Sequence, residues 1–342
     1  MKIELITPEN GQTVQLLPEE QRQLRSGVPV SGETNEVDWR SPALDGTERS
    51  YPLKVHFAWK SEGTDGCTEK VHLFTRMDRE DEIVLDGDHG QAEVENLFIG
   101  QRYYWLVTAE NEAHTVCSSP IFCFDTDATA PRLIHAEGLT NVRDLGGWVT
   151  KDGRVMRQGL FFRGSEMDDH HRLQPEGKKV LLETLKIKTD MDLRRGVNER
   201  LTESPMGKEV DWLYAPLRPY EEFLAENMWE NIRFIFDRLC DRSIYPVYCH
   251  CWGGADRTGI LAMSICAIMG VPDEQLLQDY ELTSFSIYGK RMRTAPYFVP
   301  FPEGLKEYGI EEVGLGESIK RFLLHIGVTR EQFDILRDIF LS

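Results

Sequence analysis

An apolar strand, a glycine-bearing loop and an apolar helix follow one another between residues 244 and 269, and this succession limits the fold more than any other feature of the chain. Residues 244–249 form a short apolar run of the kind buried in a parallel sheet. Residues 260–269 are apolar all round and stop at Gly270-Val-Pro272, a helix end followed by a fresh start. Elements that are apolar on every side need cover on every side, which a layered α/β fold supplies.

The neighbouring pattern agrees. A helix opening at Pro175 carries Val180, Leu181, Leu182 and Leu185 and leads to a strand over 187–193. A second strand over 210–217 precedes a long amphipathic helix over 220–240. Two further helices are expected over 317–326 and 329–341, the last with the capping-box spacing Thr329-Arg-Glu-Gln332. The first 130 residues differ: short segments at 51–59, 70–75, 82–86, 91–95, 102–109 and 119–125 are rich in β-branched and aromatic residues and separated by Gly, Asp and Asn. They predict an all-β sandwich of the immunoglobulin or fibronectin III kind. The small, polar stretch 125–131, closed by Pro131, is the expected linker, giving domains 1–130 and 131–342.

A formal charge of -18 excludes a general binder of nucleic acid or anionic membranes, both of which need a basic surface. No run reaches 18 apolar residues, so no membrane insertion is expected. The opening MKIELITPENGQTVQLL lacks the apolar core and cleavage site of a secretory signal; a cytoplasmic location is the expectation, although a trimmed chain would look the same. Seven cysteines, an odd number without metal-ligand spacing, favour a reducing compartment with no metal and no cofactor.

Chemistry concentrates in His250-Cys-Trp-Gly-Gly-Ala-Asp-Arg-Thr-Gly259. A phosphate at the mouth of the following helix would meet unpaired N–H groups and the positive end of the helix dipole. Gly253 and Gly254 let the backbone curl into an anion nest, and the planar fork of Arg257 matches two phosphoryl oxygens. The same field lowers the Cys251 thiol towards a thiolate at neutral pH. As a plain structural motif, a buried cysteine beside a helix-starting arginine leaves the glycines unexplained.

This loop resembles the HCxxGxxRTG signature of protein tyrosine phosphatases. With Asn141-Val-Arg-Asp-Leu-Gly-Gly147 and Met191-Asp-Leu-Arg194 it looks like a bacterial family of tyrosine and dual-specificity phosphatases. The 97–109 run and Phe124-Asp-Thr126 resemble fibronectin type III modules. The first resemblance implies a phosphatase-like α/β domain with Cys251 as nucleophile, Arg257 as phosphate clamp, Thr258 assisting the departing thiolate and His250 positioning the loop. It further implies substrate binding by Trp252, Gly253, Gly254, Ala255, Asp256 and Arg257. The general acid is left open between Asp192, Asp256 and, as a fallback, Asp211. Arg143 and Asp144 are read as buttresses, and Arg163 and Arg194 as salt-bridged or phosphate-facing arginines.

The expected substrate is a phosphorylated protein or small phosphate ester. An inositol phosphate or phosphoinositide is the alternative, weakened because many lipid-active relatives carry Lys where Ala255 stands. The segment 288–298, with Lys290, Arg291 and Arg293, is either a rim of the site or a solvated loop. A phosphate-binding scaffold without turnover is the reading of another class, opposed by the intact Cys251, Arg257 and Thr258. The first domain is expected to serve partner or glycan contact, and removal of residues 1–130 to leave the chemistry intact.

Overall fold

The computed structural model describes residues 1–27, 45–64, 66–111 and 115–341, the side chains of 115 and 116 excepted. Two compact units divide the chain. One holds Met1–Pro18 and Pro52–Arg132, the other Glu19–Tyr51 and Leu133–Ser342. The inclusion of Glu19–Tyr51 in the second unit is a grouping that no composition shift in the sequence announced.

The first unit contains two sheets. Strands β1 (Lys2–Thr7), β3 (Val55–Glu62) and β6 (Gln91–Val94) form one, in the order β1-β3-β6. The other follows β2-β9-β7-β4-β5, from β2 (Gln12–Val14), β9 (Phe122–Thr126), β7 (Arg102–Glu110), β4 (Thr68–Phe74) and β5 (Ile83–Asp86), with β8 (Thr115–Ser118) beside β7. Val55, Phe57 and Trp59 alternate inward along β3, as the period of two requires. Rings from the two sheets meet: Phe57 lies 5.0 Å from Trp105 and 6.0 Å from Phe124, centroid to centroid. Strands β1 and β2 were not among the segments expected from the sequence.

The second unit is α/β, as its alternating pattern predicted. Its sheet follows β10-β11-β14-β12-β13, from β10 (Arg143–Asp144), β11 (Phe161–Gly164), β14 (Val247–His250), β12 (Thr189–Asp192) and β13 (Asp211–Tyr214). Only β10 runs antiparallel to its neighbour. Every residue of β11, β12 and β14 is buried, the mark of a sheet covered on both faces. Phe162, Tyr248, Leu181, Leu185 and Ile134 share one apolar cluster. The helix Arg257–Met269 is buried from Thr258 to Met269, which accounts for its apolar composition on every side.

Several elements differ from expectation in extent. The long helix over 220–240 is two, Glu221–Leu224 and Glu226–Leu239, because Ala225 adopts an extended conformation. The second piece buries Met228, Ile232, Ile235, Phe236 and Leu239, the stripe that suggested a helix. The helix at Pro175 continues past Lys179 as a π-turn over Val180–Thr184. The strand over 244–249 is displaced to Val247–His250, since Arg242–Ile244 form a 3-10 turn. The capping box at Thr329 forms as expected: its hydroxyl accepts from the Gln332 amide at 3.1 Å. No helix among the described residues is long and apolar enough to cross a membrane.

Candidate active site

Strand register brings the candidate residues together. His250 ends β14 opposite Gly164 of β11 and Asp192 of β12, so the loop 251–256 emerges at the carboxyl edge of the sheet, where open α/β sheets bind ligands. The helix Arg257–Met269 begins directly behind it, with Asp256 at its N-cap. Gly254 turns the loop with φ +63°, and a Cβ there would meet the Gly164 carbonyl oxygen at 2.2 Å. A Cβ on Gly253 would fall 2.4 Å from the Tyr288 ring. Gly254→Ala is therefore expected to displace the loop at a cost of about 1–3 kcal/mol and to remove turnover, measurable by denaturant unfolding beside an assay.

Cys251 is 2% exposed. Burial alone raises its thiol pKa, but the Arg257 charge and the Thr258 hydroxyl and amide outweigh it, leaving the sulfur below its ordinary value. Among the described residues Thr258 Oγ1 has no oxygen or nitrogen partner of normal geometry, and it is buried beside that sulfur. Cys249, two residues back on the strand, is pushed well up, first by burial and then by the Cys251 charge. Two cysteines two residues apart thus differ in chemistry because only one stands beside the helix start and Arg257.

His250 is fully buried, its Nε2 2.8 Å from Asp190 and 4.0 Å from Asp192. Burial opposes its charge, yet the two carboxylates prevail and raise it to about 9. The ring therefore persists as an imidazolium donating to Asp190, a lock on the base of the loop. Its stabilising contribution is complete below the ordinary imidazole value of 6.5 and is lost as pH rises through about 9. Denaturant midpoints should decline across that window, and His250→Asn should remove much of the decline.

The three acid candidates stand in different places. Asp192 is buried, and its oxygens accept from Arg194 Nε at 3.0 and 3.2 Å and from Arg194 Nη2 at 2.7 Å. Burial opposes its ionisation, but His250 and Arg194 hold it below the usual carboxylate range. Asp256 has 34% of its side chain exposed; it accepts from the Tyr220 hydroxyl and lies 3.3 Å from Arg291 Nε. Asp211 pairs with Thr189, three residues before Asp192, which puts it about 10 Å towards the opposite edge of the sheet.

The upstream motif lies behind the loop. Arg143 donates to Asp279 Oδ1 at 2.9 Å and Arg163 to Asp279 Oδ2 at 2.6 Å, all three buried. Arg163 also donates to the Gly254 carbonyl at 2.6 Å, and Asn141 Nδ2 to that of Gly253 at 3.0 Å. Asp144 instead accepts from the Gly146 and Gly159 amides and shapes its own turn. Arg194 pairs with Glu166, Asp168 and Asp192. Glu166, Asp169 and His170 bring ligand atoms together as a cation site requires, but the Arg194 guanidinium already engages Glu166.

Sequence reasoning missed Asp279, Glu166 and Tyr220, which lie outside the loop in the chain and carry no local pattern. Of the 288–298 segment, Tyr288 and Arg291 border the loop, and Tyr288 also bonds His171 Nε2. Arg293 turns away to Glu274 and Glu281. Trp252 is 53% exposed, with the Arg257 guanidinium 5.5 Å from its ring centroid.

Comparison with known proteins finds similarity in the same region. Residues 134–297 match the tyrosine phosphatase family model. A protein of Cupriavidus necator, provisionally named a tyrosine-protein phosphatase, is 25% identical over 168 residues, 42% of this chain and 59% of its own. The match therefore takes in less than two thirds of that relative. The core catalytic domain of the PP-IP phosphatase SIW14 from S. cerevisiae is 14% identical, covers 50% of this chain and 91% of its own, and superposes with a TM-score of 0.30. The fibronectin type-III domain of human fibronectin type III domain containing protein 3 covers 22% of this chain and 72% of its own at 18% identity, with a TM-score of 0.19. Superpositions this partial add nothing to the geometry above.

Proposed function

We propose that this chain hydrolyses phosphate monoesters through a phosphocysteine intermediate, as a protein tyrosine or dual-specificity phosphatase. The supporting observation is the Cys251 sulfur, held towards thiolate by Arg257 and Thr258 at a helix start, the same place that favours an anion. In this reading the thiolate attacks phosphorus, the S–P bond forms as the ester O–P bond breaks, and the leaving oxygen takes a proton from Asp256. Water then attacks the phosphocysteine and gives its proton back to Asp256. The S–P bond breaks, inorganic phosphate leaves, and Thr258 donates to the departing sulfur. Arg257 and the backbone of residues 252–256 hold the equatorial oxygens.

Asp256 takes the acid role because its side chain is partly exposed beside the nucleophile, whereas Asp192 is buried against Arg194 and Asp211 lies near the far edge. Asp256→Asn should slow turnover by about 10²- to 10⁴-fold on esters with poor leaving groups and much less on activated aryl esters. Equal losses on both would remove Asp256 from the role. The mechanism itself is tested by acid quenching during turnover: mass spectrometry should find a phosphoryl group on the Cys251 peptide. Turnover without that adduct would overturn the proposal, and the adduct would dismiss a scaffold that binds phosphate without reacting.

A phosphoinositide or inositol phosphate substrate is the second reading. It is favoured by Arg291, which brings a cation to the loop beside the uncharged Ala255. Relative rates on a phosphotyrosine peptide and on inositol phosphates decide between them. The first unit is proposed as a fibronectin III-like module for partner or glycan contact.

A further inference from the structure

We infer that residues 45–51, which precede the first unit's second stretch of chain, belong to the machinery that positions the Cys251 loop. Three consecutive residues grip the start of the upstream motif and the turn Leu282–Phe285. Glu48 accepts from the Thr140 hydroxyl, Arg49 donates its amide to the Phe285 carbonyl at 2.7 Å, and Ser50 Oγ accepts the Asn141 amide at 2.9 Å. The Tyr51 hydroxyl adds a bond to the Leu139 carbonyl at 3.1 Å, and Gln21 Nε2 holds the Arg49 carbonyl at 2.7 Å. Ser50 and Gln21 are 4% and 1% exposed, so these bonds form away from competing water.

The residue they converge on is Asn141. It sits at φ +59°, a left-handed conformation that asparagine tolerates better than most residues but that still needs support. From that conformation its amide nitrogen reaches the Gly253 carbonyl at 3.0 Å and the Thr283 hydroxyl at 3.3 Å, while its oxygen accepts from Arg143. The path is short: Ser50 fixes the Asn141 backbone, Asn141 fixes the Gly253 carbonyl, and Gly253 lies two residues from the nucleophile. Glu48 holds both ends of the grip, since its Oε1 accepts the Ser50 amide at 2.8 Å and its Oε2 the Thr140 hydroxyl.

Ser50 and Glu48 are therefore positioning residues, acting on the sulfur through Asn141 and the loop. A fragment begun at residue 131 lacks this grip, which reverses the expectation that removal of residues 1–130 spares the chemistry.

The test uses the full chain. In Ser50→Ala the buried Asn141 amide loses its acceptor, whereas Ser50→Thr keeps the hydroxyl. Cys251 is titrated by the pH dependence of its alkylation with iodoacetamide, the other cysteines being subtracted with Cys251→Ser. We expect Ser50→Ala to shift the titration upward and lower kcat on an aryl phosphate about tenfold with little change in KM, and Ser50→Thr to restore both. A purely structural role would lower thermal stability and leave the titration of the folded protein where it was. Should Ser50→Ala not fold, Tyr51→Phe is expected to give a smaller shift in the same direction.

A folded Ser50→Ala chain with the wild-type titration overturns the inference, as does an unshifted Tyr51→Phe chain where Ser50→Ala does not fold. The turnover readout rests on the proposed phosphatase reaction, but the titration does not. A shifted thiol in a chain without turnover would sink the reaction and keep the positioning, and an unshifted thiol in an active chain the reverse.

Discussion

Cys251→Ser should reduce hydrolysis of a simple aryl phosphate to background, a loss on the order of 10⁴-fold or more, while the folded state survives. The size of the effect follows from the role: a group that forms the covalent intermediate cannot be replaced by its neighbours, and the serine hydroxyl titrates far above the thiol. The folded state should survive because a single atom is exchanged for a smaller one in a loop, with the flanking strand and helix left unchanged. The wild-type pH profile belongs to the same expectation. With the thiol held below its ordinary value by Arg257 and Thr258 against the opposing effect of burial, the thiolate fraction should rise at lower pH than for a free cysteine. Steady-state assay of the purified variant, with circular dichroism as the control, checks the first point. Substantial turnover in a folded Cys251→Ser chain would end the phosphocysteine mechanism.

Asp279→Ala should be among the most damaging single changes outside the loop. Asp279 is the shared anion between Arg143 and Arg163, both 2% exposed or less. Burial lowers Arg143 to about 10, helped by the like charge of Arg163 and opposed by Asp279. Burial opposes the Asp279 charge too, but the two guanidinium groups keep it below the usual carboxylate range. Without that carboxylate two buried cations face each other unpaired, at a cost of about 3–5 kcal/mol, or on the order of 10 °C in Tm for a unit of this size.

Activity should fall with it, because Arg163 also holds the Gly254 carbonyl. The sign with pH is fixed as well. A depressed carboxylate contributes stability above its unfolded value that is lost as pH falls through the folded one, so the wild type should lose part of its margin in acid and the variant should lose less. A variant as stable as the wild type would show the triad to be dispensable. Asp279→Asn, which keeps the acceptor but not the charge, separates packing from charge.

What could be read in advance was local. The loop 250–259 suggests its chemistry because the proposed nucleophile, the glycines, the arginine and the helix start lie within ten residues. Arg143 and Arg163 were legible as buttresses or salt-bridged arginines, but their common partner was not: Asp279 is an acidic residue on a helix, Asp273–Glu281, with nothing in its own neighbourhood to set it apart. The acid was left open for the same reason. Asp192, Asp256 and Asp211 each sit beside a plausible strand or loop, and only side-chain surroundings separate a carboxylate bound by Arg194 from one at the mouth of the site.

The sequence by itself determined the α/β class of the second unit and the strand-loop-helix that carries Cys251, and it named the residues proposed to ionise and seat an anion there. These follow from short-range rules: apolar periodicity, glycine conformations, and the field at a helix start. Tertiary structure alone decided that Glu19–Tyr51 join that unit, that Ser50 meets Asn141, and that Asp279 lies between two arginines. Those contacts join residues 91 and more than 100 positions apart, and a hydrogen bond across such a span leaves no periodic trace in the chain.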